Sequence, residues 1–179
     1  METATTTKWA IDKAHSEIRF KVKHLMISSV TGQFNEFGAE AELEGEDLSG
    51  ARVSFWADTA SVDTGAADRD KHLRSGDFFD AENYPKLAFQ STGLERSGDT
   101  WKMTGDLTIK GVSKPITLDV HWAGVARDPW GHTKAGLTVS GRIDREQWGL
   151  NWNAALETGG VLVSNEVRIQ CEVQLVQHD

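Results

Sequence analysis

The sequence predicts an all-β domain in which about eight antiparallel strands curl into a closed barrel. Three observations carry this reading. Apolar and polar residues alternate along most of the chain, turn signals interrupt the alternation at short intervals, and several of the 17 glycines lie in or beside the alternating stretches. Alternation with period two gives each strand one dry face and one wet face. Short connections make neighbouring strands antiparallel. One dry face per strand permits a sandwich or a barrel. Gly32, Gly38, Gly105 and Gly141 favour the barrel, because a glycine kink or bulge lets a sheet bend until it closes.

The strands follow in order. Ile18, Phe20 and Val22 alternate with Glu17, Arg19, Lys21 and Lys23. A second strand spans Gln33 to Leu43. Val53, Phe55 and Ala57 give a third, and Leu87 with Phe89 a fourth. Met103, Leu107 and Ile109 form the fifth, Ile116 to Trp122 the sixth, and Leu137, Val139 and Ile143 the seventh. The eighth runs through Val167, Ile169, Cys171, Val173 and Leu175. Gly45 to Gly50, Ser97-Gly98-Asp99, Lys110-Gly111 and Asp128 to Gly131 separate them as turns. Residues 66–75 break the alternation and hold good helix formers, so one short helix is expected, capped by Asp63 or Thr64 and supported by Asp70 and Arg74 at i,i+4 spacing. Residues 1–8 read as a flexible tail and 9–177 as one domain.

Composition narrows the function. A net charge of −8 makes nucleic acid and anionic membrane surfaces poor partners. No stretch approaches the roughly 18 apolar residues of a membrane helix, so stable membrane insertion is not expected. The opening METATTTK lacks an apolar leader segment and Cys171 has no partner for a disulfide, so the sequence reads as cytoplasmic.

No G-x-S-x-G elbow, phosphate loop or dinucleotide fingerprint is present, so no enzyme activity is expected. The histidines do not converge at metal-ligand spacing, and no metal is expected. Cys171 sits mid-strand on an apolar face, as a small core residue would. The cluster Arg69-Asp70-Lys71-His72 reads either as a gate at the barrel mouth or as a helix closing one end through ion pairs. Inward positions mix small residues (Ala39, Ala41, Ala57, Ala135, Gly141) with large ones such as Phe20, Phe34, Phe37, Phe55, Phe89, Leu118, Val120 and Trp122. The mixture fits an open tunnel and a tapered, filled core alike. The segment Trp148-Gly149-Leu150-Asn151-Trp152-Asn153 reads as a mobile lid or as a crossover packing two rings on the core. Exposed tryptophans would also fit a homodimer.

Taken in order, several short motifs together resemble the YceI-like family. They are Trp9, Asp12, His15-Ser16, Phe20 and His24; Val30, Gly32 and Phe34; Ser61-Val62, Thr64, Arg69-Asp70, His72-Leu73, Phe78-Phe79-Asp80, Tyr84-Pro85 and Phe89; Gly105, Leu107-Thr108-Ile109, Gly111-Val112, Lys114-Pro115 and Leu118; Arg145, Gly149-Leu150 and Glu166-Val167. The resemblance implies an extended, lipocalin-like eight-stranded barrel that binds, carries or stores a polyisoprenoid or isoprenoid quinone, with no required cofactor. The tunnel would be lined by Phe20, Val22, Phe34, Phe37, Val53, Phe55, Ala57, Phe78, Phe89, Leu107, Leu118, Val120, Trp122, Leu137, Val139 and Trp148. His15, Ser16, Arg69, Asp70, His72, Asn151 and Asn153 are the candidates for head-group or gate contacts. Trp148 stands where the family more often has phenylalanine, and Ser164-Asn165 where it more often has glycine–aspartate. The alternative is a non-catalytic stress-response or interaction module with a filled barrel.

Overall fold

In a computed structural model, residues 6–25, 27–45, 47–154 and 162–178 are described. The alternating stretches form β1 (Thr7–Ile11), β2 (Glu17–His24), β3 (Ser28–Phe34), β4 (Phe37–Leu43), β5 (Arg52–Asp58), β6 (Val62–Asp63), β7 (Lys86–Ser97), β8 (Thr100–Ile109), β9 (Val112–Arg127), β10 (Thr133–Asp144) and β11 (Val163–His178). The helix α1 spans Ala67–Arg74.

Eight strands hydrogen-bond into a closed antiparallel ring in the order β1-β4-β5-β7-β8-β9-β10-β11, with β11 returning to β1. The long β11 makes this possible. Its C-terminal end pairs with β1, from Ile11 against Leu175 to Lys8 against His178. Its N-terminal half pairs instead with β2, and β3 and β6 extend the wall from there.

The ring differs from the expected one in two places. The alternating segment 17–24 is not a ring member but flanks it, and the ring closes through β1. Thr7 and Lys8, expected in a loose tail, are paired to Leu43 and Glu42 of β4. The stretch from Gln33 to Leu43 is two strands, because Asn35-Glu36 form a turn between β3 and β4. The apolar phase shifts there, from even positions (Gly32, Phe34) to odd ones (Phe37, Ala41, Leu43), so one strand of unbroken alternation does not fit the stretch.

Turn chemistry accounts for the tight connections. Lys110 and Gly111 both have positive φ (52° and 77°) and join β8 to β9 across a two-residue loop. That is the conformation a twisted hairpin needs. Glycines inside the wall serve packing. Gly32 lies opposite Phe20 and leaves its ring a seat. Gly38 does the same for Trp56.

The helix begins one residue later than expected and is capped differently. Its N-cap is Ala66, without a side-chain cap bond. Asp70 is buried, and its carboxylate accepts from the Thr64 backbone N–H (2.8 Å) and hydroxyl (2.6 Å), tying the first turn to the preceding loop.

Candidate ligand-binding tunnel

The inward faces do not meet. They leave a cavity of about 540 Å³, within the range that holds small apolar ligands. Its wall includes Val163, Val167, Ile169, Cys171, Val173 and Leu175 of β11. Twelve residues of strand correspond to roughly 40 Å of path, so the void is a tunnel along the barrel.

Cross-strand pairing explains why room remains. Ala39 faces Phe55 and Ala41 faces Val53, so small residues on β4 sit opposite large ones on β5. All four line the void.

Of the residues assigned to the tunnel from sequence, Phe20, Val22, Phe34, Val53, Phe55, Phe78, Phe89, Leu107, Leu118, Val120, Leu137 and Val139 line it. Phe37, Ala57, Trp122 and Trp148 do not. Phe37 and Ala57 form a buried cross-strand pair within the packed core. Trp122 is half-buried and packs on the core's flank. Trp148 is 1% exposed, at the end of a short turn of 3-10 helix over Arg145–Trp148. Its indole Nε1 donates to the Leu107 carbonyl at 2.8 Å. Neither a lid nor an exposed surface is therefore assigned to Trp148. The ring reaching the void from that segment is Trp152.

The polar candidates separate to opposite ends. His15 is exposed and hydrogen-bonds Asp12 (2.8 Å), which also accepts from Lys134 (3.1 Å). Burial pushes the Asp12 carboxyl up, but hydrogen bonds from His15 and Lys134 outweigh it and hold it below its ordinary value. Ser16 exchanges hydrogen bonds with the backbone of Gln174. These groups pin the C-terminal end of β11 and do not line the tunnel. Asn151 is exposed and off the lining. Asn153 holds the start of β11 through both Val163 backbone groups. Asp70 is committed to Thr64.

Arg69 and His72 do reach the lining. The Arg69 guanidinium donates to the Thr64 hydroxyl and carbonyl, both at 2.7 Å. The His72 ring meets Trp152 edge-on at 4.5 Å and Phe78 at 5.1 Å, and its Nε2 contacts Asp77 at 2.9 Å. Helix α1 and the 145–152 segment thus form one aromatic and cationic end of the tunnel.

The signal in Arg145 was visible only as part of a family motif. In the fold it lines this same end, buried, and donates to the carbonyls of Leu150, Val163 and Ser164. Desolvation lowers its pKa, with Glu146 and Asp144 acting in the opposite direction. Cys171 also faces the void, and burial pushes its thiol up to about 11. Such a thiol is almost wholly protonated near neutrality and unsuited to nucleophilic work. Among the described residues no cluster of three His, Cys, Asp or Glu could hold a metal, and no helix is long and apolar enough to cross a membrane.

A closed barrel around a long apolar void, with Arg69, His72 and Arg145 at one end, is the architecture of lipocalin-like binding proteins. More narrowly, the chain belongs to the YceI-like family, whose domain pattern matches residues 9–175. A UPF0312 protein of Staphylococcus epidermidis is 40% identical over 169 residues, covering 94% of this chain and 96% of that one. The Campylobacter jejuni YceI crystal structure superposes with a TM-score of 0.74 at 33% identity over the whole of both chains. A polyisoprenoid-binding domain from Saccharophagus degradans, implicated in plant cell wall breakdown, shares the fold at a TM-score of 0.67 and 18% identity, over 94% of this chain and 97% of that one.

Proposed function

We propose that this protein binds a long-chain isoprenoid, a polyisoprenoid lipid or an isoprenoid quinone, in the barrel tunnel, and carries or stores it without chemical change. The observation that carries this reading is the apolar void of about 540 Å³ running the length of β11. The polyisoprenoid-binding relative supports the choice of ligand.

The energetics favour a chain. Each methylene moved from water into such a wall contributes about 0.8 kcal/mol, so several prenyl units give tight binding from burial alone. Polar contacts are needed only to fix one end. The filled-barrel interaction module needs a solid interior, and the cavity argues against it.

The test is extraction of the purified protein into organic solvent followed by mass spectrometry, together with uptake of added ubiquinone or geranylgeraniol. A co-purifying prenyl compound, or saturable uptake, is expected. Cys171→Trp, which places an indole in the middle of the tunnel, should abolish uptake while the circular dichroism spectrum stays that of a barrel. No extractable lipid and no uptake would refute the proposal.

A further inference from the structure

Net charge describes a whole chain, but salt limits the reach of each charge to about 10 Å. What a surface attracts is therefore decided by the charges on that surface. The outer face where β10, β11 and β2 run side by side is basic. Arg142 lies directly opposite Arg168, and Arg168 opposite Lys21, so three cations form one row across three strands. Like charges so placed destabilise a sheet. Glu166 contacts Arg142 at 3.5 Å and Arg168 at 3.8 Å, and Asp144 lies opposite Glu166. Lys21 and Lys23 enter no ion pair among the described residues. From that row to the β2–β3 turn, these three strands carry four cations (Arg142, Arg168, Lys21, Lys23) against two carboxylates (Asp144, Glu166), on a chain of net charge −8. The acidic pair Glu17 and Glu172 lies toward the other end of the same strands.

The basic end finishes in exposed apolar side chains. Ile27 is 86% exposed and Leu25 37%, both in the turn between β2 and β3. Leu25 has a φ of 55°, where glycine or asparagine would hold a turn with less strain. Turn geometry therefore does not account for a leucine there. The Leu25 backbone N–H donates to the Leu162 carbonyl at 2.8 Å, and Leu162, Val163 and His24 line the void. The tip thus stands beside one end of the tunnel. Lys21 is four residues back, about 13 Å along β2, and its flexible stem lets the ammonium reach toward the level of the tip.

Apolar side chains at a tip, with cations just behind them, match the surface of an anionic bilayer: the first enter the acyl boundary while the second meet lipid phosphates. A second copy of this chain would bring the same cations face to face, which opposes association. We infer that the β2–β3 tip and the basic face behind it dock this protein on an anionic phospholipid bilayer, so that a prenyl chain passes between membrane and tunnel without crossing water. The passage rests on the tunnel binding a prenyl chain; the docking does not.

The test is sedimentation of the wild-type protein with vesicles of equal parts phosphatidylglycerol and phosphatidylcholine, and with vesicles of phosphatidylcholine alone. The mixed vesicles should bind about tenfold or more tightly, and less so as salt is raised. Each cation held at such a surface strengthens binding about fivefold, so the double variant Lys21→Gln, Arg168→Gln should bind about 25-fold more weakly. Ile27→Ser should bind about tenfold more weakly. Trp130, 80% exposed, is in the β9–β10 turn beside the opposite end of β11, where Lys134 pairs with Val176; Trp130→Ser should lose nothing. None of these four residues lines the void, so every variant should take up geranylgeraniol from detergent solution as the wild type does, with an unchanged circular dichroism spectrum.

A wild type that takes up geranylgeraniol but binds neither kind of vesicle would overturn the docking and leave the tunnel reading intact. Vesicle binding without uptake would support the docking and refute the tunnel reading. Equal binding to both kinds of vesicle, or a loss in Trp130→Ser in place of Ile27→Ser, would overturn the assigned surface. So would a dimer that Ile27→Ser abolishes in the absence of vesicle binding, which would give the tip to a second copy.

Discussion

Replacing selected glycines by alanine tests whether the inner wall is packed as described, because the space a new Cβ would meet differs sharply from site to site. At Gly105 it would lie 2.5 Å from the Gln90 backbone oxygen and closer still to the Phe89 ring. A backbone oxygen in a paired strand cannot step aside. At Gly32 it would meet the Phe20 ring within 3.0 Å, and that ring is already packed against Phe34 at 5.6 Å between centroids. At Gly141 the obstacle is Leu118 Cδ2 at 2.5 Å, the far end of a flexible side chain. At Gly93, in β7, nothing lies within 4 Å. Overpacking of this kind costs about 1–3 kcal/mol, and in a domain of this size each kcal/mol lowers Tm by about 2–4 °C. Gly105→Ala should therefore lower Tm most and Gly32→Ala next, within a span of about 2–12 °C. Gly141→Ala should lose less, and Gly93→Ala should be neutral or gain up to about 1 kcal/mol through a stiffer unfolded chain. Phe89 and Phe20 line the void, so the first two variants should also take up geranylgeraniol more weakly. Thermal denaturation followed by circular dichroism reads the ranking. Equal Tm values for Gly105→Ala and Gly93→Ala would refute this account of the wall.

Trp148→Phe should lose about 1–3 kcal/mol, the cost of leaving the Leu107 carbonyl without its indole donor. Geranylgeraniol uptake should be unchanged because Trp148 does not line the void, and a large loss of uptake would contradict that. Asp70→Ala should speed amide hydrogen exchange in α1 while leaving β11 protected, since Asp70 ties the helix to Thr64; uniform exchange across both elements would show that the contact matters to the whole fold instead. Cys171 should react with iodoacetamide about tenfold faster for each pH unit between 8 and 10, because its thiol is pushed up to about 11. The sign follows from linkage: the folded thiol keeps its proton longer than the unfolded one, so the stability this lends is lost as pH rises past about 9 toward 11. A rate that levels off near pH 9 would place the thiol in contact with solvent.

Alternation along Ile18–Val22, Ile116–Trp122 and Val167–Leu175 made the all-β class and the inward faces legible, since which side of a strand is dry is a local property. Lys110-Gly111 marked its hairpin and residues 66–75 their helix for the same reason: turn and helix propensities act over a few residues. Closure through β1 and the two-sided pairing of β11 were decided by partners far along the chain. So was the difference between Phe55, which faces the void, and Phe37 on the neighbouring strand, which packs in solid core. Both read as inward; only the assembled wall shows where inward ends in space and where in another side chain. His15 and Arg69 shared one list of polar candidates, yet Ser164 and Gln174, the β11 residues beside each end, are roughly 33 Å apart along that strand. Residue type and spacing determined the kind of sheet this chain makes. The hollow, its length and the buried charge at one end came from tertiary structure, because a cavity is set by volumes contributed from many strands and no single segment encodes it.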